Sequence, residues 1–139
     1  MTYIPINNEA PVTEINQYLI NSVKAVSVPV TDNDDILTPV MLNDFSNTVL
    51  GKYKIPEPTE LIAADISDIE VVLVPGVVFD KDGGRAGYGK GCYDRFLKDK
   101  KQLKIGVCYE FQIHDSNLRL EEHDVSMNYL LTEKAFYEV

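Results

Sequence analysis

The chain has 139 residues, 45% of them hydrophobic, and a formal net charge of −9. That length suits a single domain, residues 1–139, with a substantial core, and it is short for two. No run of about 18 apolar residues is present, which excludes a membrane-spanning helix, and the acidic balance argues against a general nucleic-acid or anionic-membrane binder, because such proteins gain affinity by displacing counterions from phosphates.

The opening "MTYIPINNEAPV" has no basic segment followed by an apolar one, so the chain reads as cytoplasmic and without a secretory leader. In "PVTEINQYLINSVKAV" the apolar Val12, Ile15, Leu19 and Val23 recur at helical spacing, and Thr13 is available as a cap. "AVSVPV" then reads as a short strand. Residues 31–60 are the least regular part, with acidic and turn residues around short apolar pieces, and Pro56 and Pro58 mark an extended turn. "VVLVP" gives a continuous apolar strand of the kind buried on both faces. "CYDRFLKDK" predicts a helix with Tyr93, Phe96 and Leu97 on one side, and "LKIGVCYE" and "MNYLLTE" predict the last two strands. Helices alternating with β-branched runs predict a parallel or mostly parallel sheet covered by helices, with ligands bound beyond the carboxyl ends of strands.

Between the "VVLVP" strand and the following helix stands "DKDGGRAGYGKGCYDRF", which holds five of the eight glycines. Eight of the thirteen Lys and Arg residues fall between Lys81 and Lys104. For Lys98, Lys100, Lys101 and Lys104 the ordinary reading is a solvated helix end, where cations are favoured. Arg85 and Lys90 differ in standing among the glycines. Gly84, Gly89 and Lys90 meet the first seven places of G-x-x-x-x-G-K-[ST], but the eighth is Gly91, without the hydroxyl that holds magnesium. The dinucleotide pattern G-x-G-x-x-G fits at Gly87 and Gly89 and fails at Cys92. What remains is a glycine-rich turn with two cations before a helix, a setting that favours a polyanion. Asp94 is placed to meet a magnesium ion on bound phosphates, or equally to stabilise the helix start. On spacing alone Asp124 reads as a solvated turn residue. Cys92 and Cys108, with His114 and His123, match no zinc spacing and read as reduced thiols.

The run "VPGVVFDKDGGRAGYGKGCYDRFL" closely resembles the signature of the 5-formyltetrahydrofolate cyclo-ligase (5,10-methenyltetrahydrofolate synthetase) family, and "IPEP", "IGVCYEFQI", "EEHDVSMNYLLTE" and "YIPINNEAPVTEI" are similar to further family segments. The resemblance implies a three-layer, Rossmann-like α/β fold of the CoA-transferase-like kind, with a mostly parallel sheet, helices on both faces and a first sheet strand at the chain start. It implies ATP-dependent phosphorylation of the formyl oxygen of 5-formyltetrahydrofolate, attack by N10 of the folate, and loss of phosphate to leave 5,10-methenyltetrahydrofolate. Carried over by position, Arg85, Gly87, Tyr88, Gly89, Lys90, Gly91, Cys92 and Tyr93 would line the nucleotide and formyl region, with Arg85, Tyr88 and Lys90 catalytic. Asp94 and Asp124 would hold Mg2+, and Ile4 and Glu9, with Tyr88 and Cys92, would face the folate.

Three departures accompany the resemblance. The family's N-terminal helices, whose Lys and Arg help bind ATP, have no counterpart in these residues, Cys92 stands where the family carries an aromatic side chain, and Pro11 interrupts the usual approach to the helix. A non-catalytic relative that binds a nucleotide, folate or other phosphorylated ligand is the competing expectation. Homo-oligomerisation is expected as cover for sheet surface, and the missing helices could also come from another subunit.

Overall fold

The computed structural model describes residues 1–22 and 24–139, so Val23, which the apolar spacing assigns to the first helix, lies outside the described residues. The chain divides into two compact units, Met1–Glu70 and Val71–Val139. Among the described residues no helix is long and apolar enough to cross a membrane.

In the first unit the predicted helix forms as α1 (Thr13–Asn21), but Thr13 does not cap it. The cap position is Val12, with no side-chain hydrogen bond to the helix end. The buried face also differs from the apolar pattern, since Asn16 is fully buried while Ile15 is 36% exposed. Asn16 wins the inside position because its amide is satisfied there: Oδ1 accepts from the Thr2 hydroxyl at 2.7 Å and Nδ2 donates to the Tyr3 carbonyl at 2.9 Å. The expected strand at the chain start does not form. Residues 1–6 instead run as irregular backbone held by Thr2 N–H on the Ser27 carbonyl at 2.8 Å and by Tyr3 Oη on the Ala10 carbonyl at 2.7 Å.

The "AVSVPV" run becomes β1 (Ser27–Thr31), which pairs antiparallel with β2 (Leu37–Met41). Residues 31–60, expected to be irregular, also yield β3 (Thr48–Leu50) and β4 (Pro56–Pro58), a second antiparallel pair, so the proline-bounded turn is a strand. The turn chemistry explains the first hairpin. Asp32 Oδ1 accepts from the N–H groups of Asp34 and Ile36, both at 2.9 Å, closing the loop without tertiary help. Lys52 then joins the hairpins, donating to the Asp32 carbonyl at 2.5 Å and to Asp35 Oδ1 at 2.7 Å. Val26, Val28 and Leu42 form the core here, with Ile4, Leu19, Ile20 and Phe45 packed on it.

The second unit carries a mixed four-stranded sheet of β5 (Val71–Pro75), β8 (Leu103–Val107), β10 (Tyr129–Leu131) and β11 (Phe136–Glu138), in the order β11-β10-β8-β5. β5, β8 and β10 are parallel, and β11 is antiparallel to β10. A three-stranded sheet joins β6 (Val78–Asp80), β7 (Arg85–Ala86) and β9 (Ile113–His114), and α2 (Cys92–Leu97) follows the glycine loop. The apolar run behaves as read: Val72 and Val74 are fully buried and Leu73 nearly so. Of Tyr93, Phe96 and Leu97, expected on one side of α2, Phe96 and Leu97 are buried and Tyr93 is half-buried, and Asp94 is buried with them. Lys104 lies in β8 rather than at a helix end, because α2 stops at Leu97. The ring of Phe79, fully buried, lies on Gly106 of β8, where a Cβ would stand 2.5 Å from it. That contact presses the β6–β7 hairpin, which opens the glycine loop, onto the main sheet.

Candidate active site

The glycine loop is built from its base upward. Asp80, 2% exposed at the end of β6, uses its carboxylate on backbone. Oδ1 accepts from Asp82 N–H at 2.9 Å and Gly84 N–H at 2.7 Å, and Oδ2 accepts from Leu118 N–H at 2.7 Å. The Asp80 side chain leaves no room for a Cβ at position 84, where one would stand 2.4 Å from its Oδ2. Gly83 turns the chain at φ +83°. The hairpin then pairs Arg85 with Phe79, which carries the arginine into the interior.

Arg85 is the hub of the site. Its Nη2 donates to Asp94 Oδ2 at 2.8 Å, with side-chain exposures of 5% and 12%. Its Nη1 lies 3.4 Å from the Pro75 carbonyl, and its guanidinium carbon sits 5.6 Å from the centroid of the Tyr93 ring. Nε is buried without a hydrogen-bond partner. Asp94 Oδ1 accepts in turn from Val125 N–H at 3.2 Å, so the peptide that follows Asp124 closes on the same carboxylate. Asp124 itself is half-buried, and its Oδ2 accepts from Glu121 N–H at 2.7 Å.

The rest of the loop is open. Tyr88, Gly89 and Lys90 are exposed, and Gly87 is half-buried with the place of its Cβ 2.8 Å from Arg85 Nη1. Gly91, at φ +61°, starts α2, and Arg95 holds the turn by donating to the Lys90 carbonyl at 2.8 Å. Cys92 is half-buried, with Arg95 Nη2 4.0 Å from its sulfur. The structure thus brings Arg85, Gly87, Tyr93 and Asp94 together, and the backbone of Val125 reaches Asp94 while the Asp124 carboxylate closes its own turn on Glu121 N–H.

Ile4 and Glu9 belong to the first unit. Ile4 packs on the core there, and Glu9 Oε2 accepts from Ile6 N–H at 3.0 Å. Burial raises the carboxyl of Glu9 above its usual range, against the opposing pull of that backbone bond.

Two residues of the site were not singled out from the sequence. Asp80 appears there only inside the quoted run "VPGVVFDKDGGRAGYGKGCYDRFL", and Gln112 only inside "IGVCYEFQI", with no role given to either. The Gln112 amide Nε2 donates to the carbonyls of Gly76 at 3.1 Å and Val77 at 2.9 Å, across the mouth of the parallel strands.

A buried, ion-paired arginine in a glycine loop beyond the carboxyl end of a parallel strand marks the candidate site of an α/β protein, at the place where such folds bind ligands. The sequence model of the 5-formyltetrahydrofolate cyclo-ligase family matches residues 1–133, and the chain belongs to that family. A 5-formyltetrahydrofolate cyclo-ligase of Mycolicibacterium smegmatis is 30% identical over 146 aligned positions, covering 95% of this chain and 72% of the relative. The Saccharomyces cerevisiae cyclo-ligase is 44% identical over 87 residues, which span 56% of this chain and 40% of the yeast protein. Among solved structures, the 5,10-methenyltetrahydrofolate synthetase of Aquifex aeolicus superposes with a TM-score of 0.84 at 32% identity, covering 99% of this chain and 69% of that one. The synthetase of Mycoplasma pneumoniae gives 0.70 at 27% identity, over 93% of this chain and 71% of that one. The α/β fold with mixed sheets is common to all three structures.

Proposed function

We propose that this chain is an ATP- and magnesium-dependent ligase that cyclises 5-formyltetrahydrofolate to 5,10-methenyltetrahydrofolate and releases ADP and phosphate. The observation that carries the reading is Arg85, buried, paired on one nitrogen with Asp94, and holding an unpartnered Nε–H inside a glycine loop. A buried donor without an acceptor is costly, and a phosphate oxygen of a ligand bound in the loop would be its acceptor.

In this reading the formyl oxygen, a poor leaving group, is phosphorylated by ATP and becomes a good one, and N10 then displaces phosphate. The protein's work is placement and charge neutralisation. Arg85 and Lys90 supply positive charge to the transferring phosphoryl group, and Tyr88 reaches the formyl end from its exposed position. Gly87, Gly89 and Gly91, with Cys92 and Tyr93, line the nucleotide. The folate contacts in this reading are Ile4 and Glu9 of the first unit, and, taken separately, Tyr88 and Cys92 of the second.

The residues present fit a magnesium ion that arrives with the nucleotide. Among the described residues no three metal-ligating side chains cluster, but magnesium needs only one or two carboxylates when phosphates and water complete its shell. Asp94 and Asp124 are those carboxylates, and each oxygen engaged by a single N–H keeps a second lone pair. When bound, the ion offsets phosphate charge. A cytoplasmic, single functional domain in the family's three-layer arrangement, self-associating and without nucleic-acid or membrane partners, completes the reading.

The test is ATP-dependent formation of the methenyl product from 5-formyltetrahydrofolate and MgATP, monitored by its near-ultraviolet absorbance. No ATP-dependent signal at high protein concentration overturns the ligase reading. Cys92, in place of an aromatic ring, favours as second reading a relative that binds without turnover, which calorimetry with MgATP or the folate then detects.

A further inference from the structure

Gln112 uses its whole amide on backbone. Besides donating to Gly76 and Val77, it accepts at Oε1 from Tyr109 N–H at 2.8 Å. It therefore binds the exit of β8 to the exit of β5. The turn that carries it is itself anchored, because Glu110 accepts from Thr132 Oγ1 at 2.8 Å and from Tyr137 Oη at 2.7 Å, on β10's exit and on β11. The next two residues are β9, whose pairing with Phe79 and Asp80 sets the height of the hairpin that delivers Arg85. Gly76 lies against the arginine, since a Cβ there would stand 3.1 Å from Arg85 Cγ, and the preceding carbonyl of Pro75 is the one that Nη1 approaches.

Resting on the ligase reading, we infer that Gln112 is a positioning residue that holds Arg85 in register for the nucleotide phosphates by tying the Gly76–Val77 turn to the β8 exit. It touches no reacting atom. Its effect passes through two carbonyls and one hairpin, a distance over which a misplacement of about 1 Å can cost as much as a hundredfold in rate.

Gln112→Met keeps the side-chain length and removes all three hydrogen bonds, and Gln112→Glu turns a carboxylate onto two carbonyl oxygens. Amide hydrogen exchange is read at Val77 and Asp80, whose N–H groups donate to the Ala86 and Gly84 carbonyls within the hairpin, against β8 and β10 as internal references. The expected result for Gln112→Met is exchange at least about tenfold faster at those two amides with β8 and β10 unchanged, and calorimetric MgATP affinity weaker by about tenfold, one lost hydrogen bond's worth. KM for ATP rises while KM for the folate holds. Gln112→Glu is weaker still at pH 8 and recovers as pH falls, when the protonated carboxyl again donates. Unchanged exchange at Val77 and Asp80 overturns the inference, and so does unchanged MgATP affinity despite faster exchange, which makes the clamp structural only. A wild-type chain that binds MgATP without turnover sinks the ligase reading and leaves the exchange and affinity arms to decide Gln112; one that neither binds nor turns over sinks both.

Discussion

Arg85 and Asp94 form an ion pair at 2.8 Å with almost no solvent on either side chain, and the Asp94 carboxylate extends the pair to the backbone of Val125. A pair so buried is strongly asymmetric in its response to mutation. Removing one partner leaves an uncompensated charge, so Arg85→Ala is expected to cost about 3–5 kcal/mol in urea unfolding. Adding Asp94→Asn to it should restore part of that loss while leaving nucleotide binding absent. If the double variant is as unstable as the sum of its parts, the pair is not the unit that stabilises the loop.

Gly83 and Gly89 have nearly the same φ, +83° and +81°, in very different surroundings. At Gly83 a Cβ would lie 2.6 Å from the Met127 carbonyl oxygen, a backbone atom, whereas at Gly89 nothing lies within 4 Å. Gly89→Ala is therefore expected to cost only the left-handed backbone, about 1–2 kcal/mol. Gly83→Ala adds overpacking and should cost about 2–4 kcal/mol. Denaturant midpoints decide it, and equal losses at the two sites would mean that the Met127 backbone yields freely.

The two thiols should separate chemically. Cys108 is 2% exposed, and burial first, then Glu110 and Glu133, push its pKa from 9.0 up to about 12. Alkylation at pH 8 is expected to modify Cys92 and spare Cys108 until the chain unfolds, as peptide mass mapping would show. The same shift has a sign in stability. Between pH 9 and 12 the folded chain keeps a proton that the unfolded chain releases, so stability falls as pH rises through that window. Cys108→Ala should flatten that part of the fall; an unaltered slope would assign it to other groups.

Legibility in the sequence followed the range of the interactions. β5 and β8 could be read because their β-branched runs are local, and the helix after the loop because Phe96 and Leu97 sit one turn from Tyr93. β6, β7 and β9 have only two or three residues each and exist through pairing with partners distant in sequence. Asp80 reaches 38 residues to Leu118, a bond that no window around the motif contains. β4 was hidden by its prolines, which argue against a strand except at an edge with one partner, the position that β4 occupies beside β3. The burial of Asn16 was not legible for a related reason: a polar residue is buried when Thr2 and Tyr3 satisfy it, and those partners come from the irregular start of the chain. The loop's glycines and Arg85 were readable as a candidate anion site, whereas the engagement of Asp94 by Arg85 and Val125 was not readable.

Glu9 offers the means to separate binding from folding in the first unit. Its carboxyl is raised mainly by burial, so the folded chain holds that proton more tightly than the unfolded chain does. The sign follows: relative to a neutral side chain the carboxylate is a liability at pH 8, and the liability shrinks as pH falls through the raised value. Glu9→Gln keeps an oxygen to accept from Ile6 N–H, and it is expected to match or exceed the wild type in thermal midpoint at pH 8, with the difference closing toward acid. If Glu9 contacts the folate as proposed, the same substitution loses a charge-assisted hydrogen bond, about 1.5–3 kcal/mol. KM for 5-formyltetrahydrofolate should then rise by about ten- to a hundredfold with KM for ATP unchanged. A stable variant with an unaltered folate KM would remove Glu9 from the folate site and leave it a loop-closing residue.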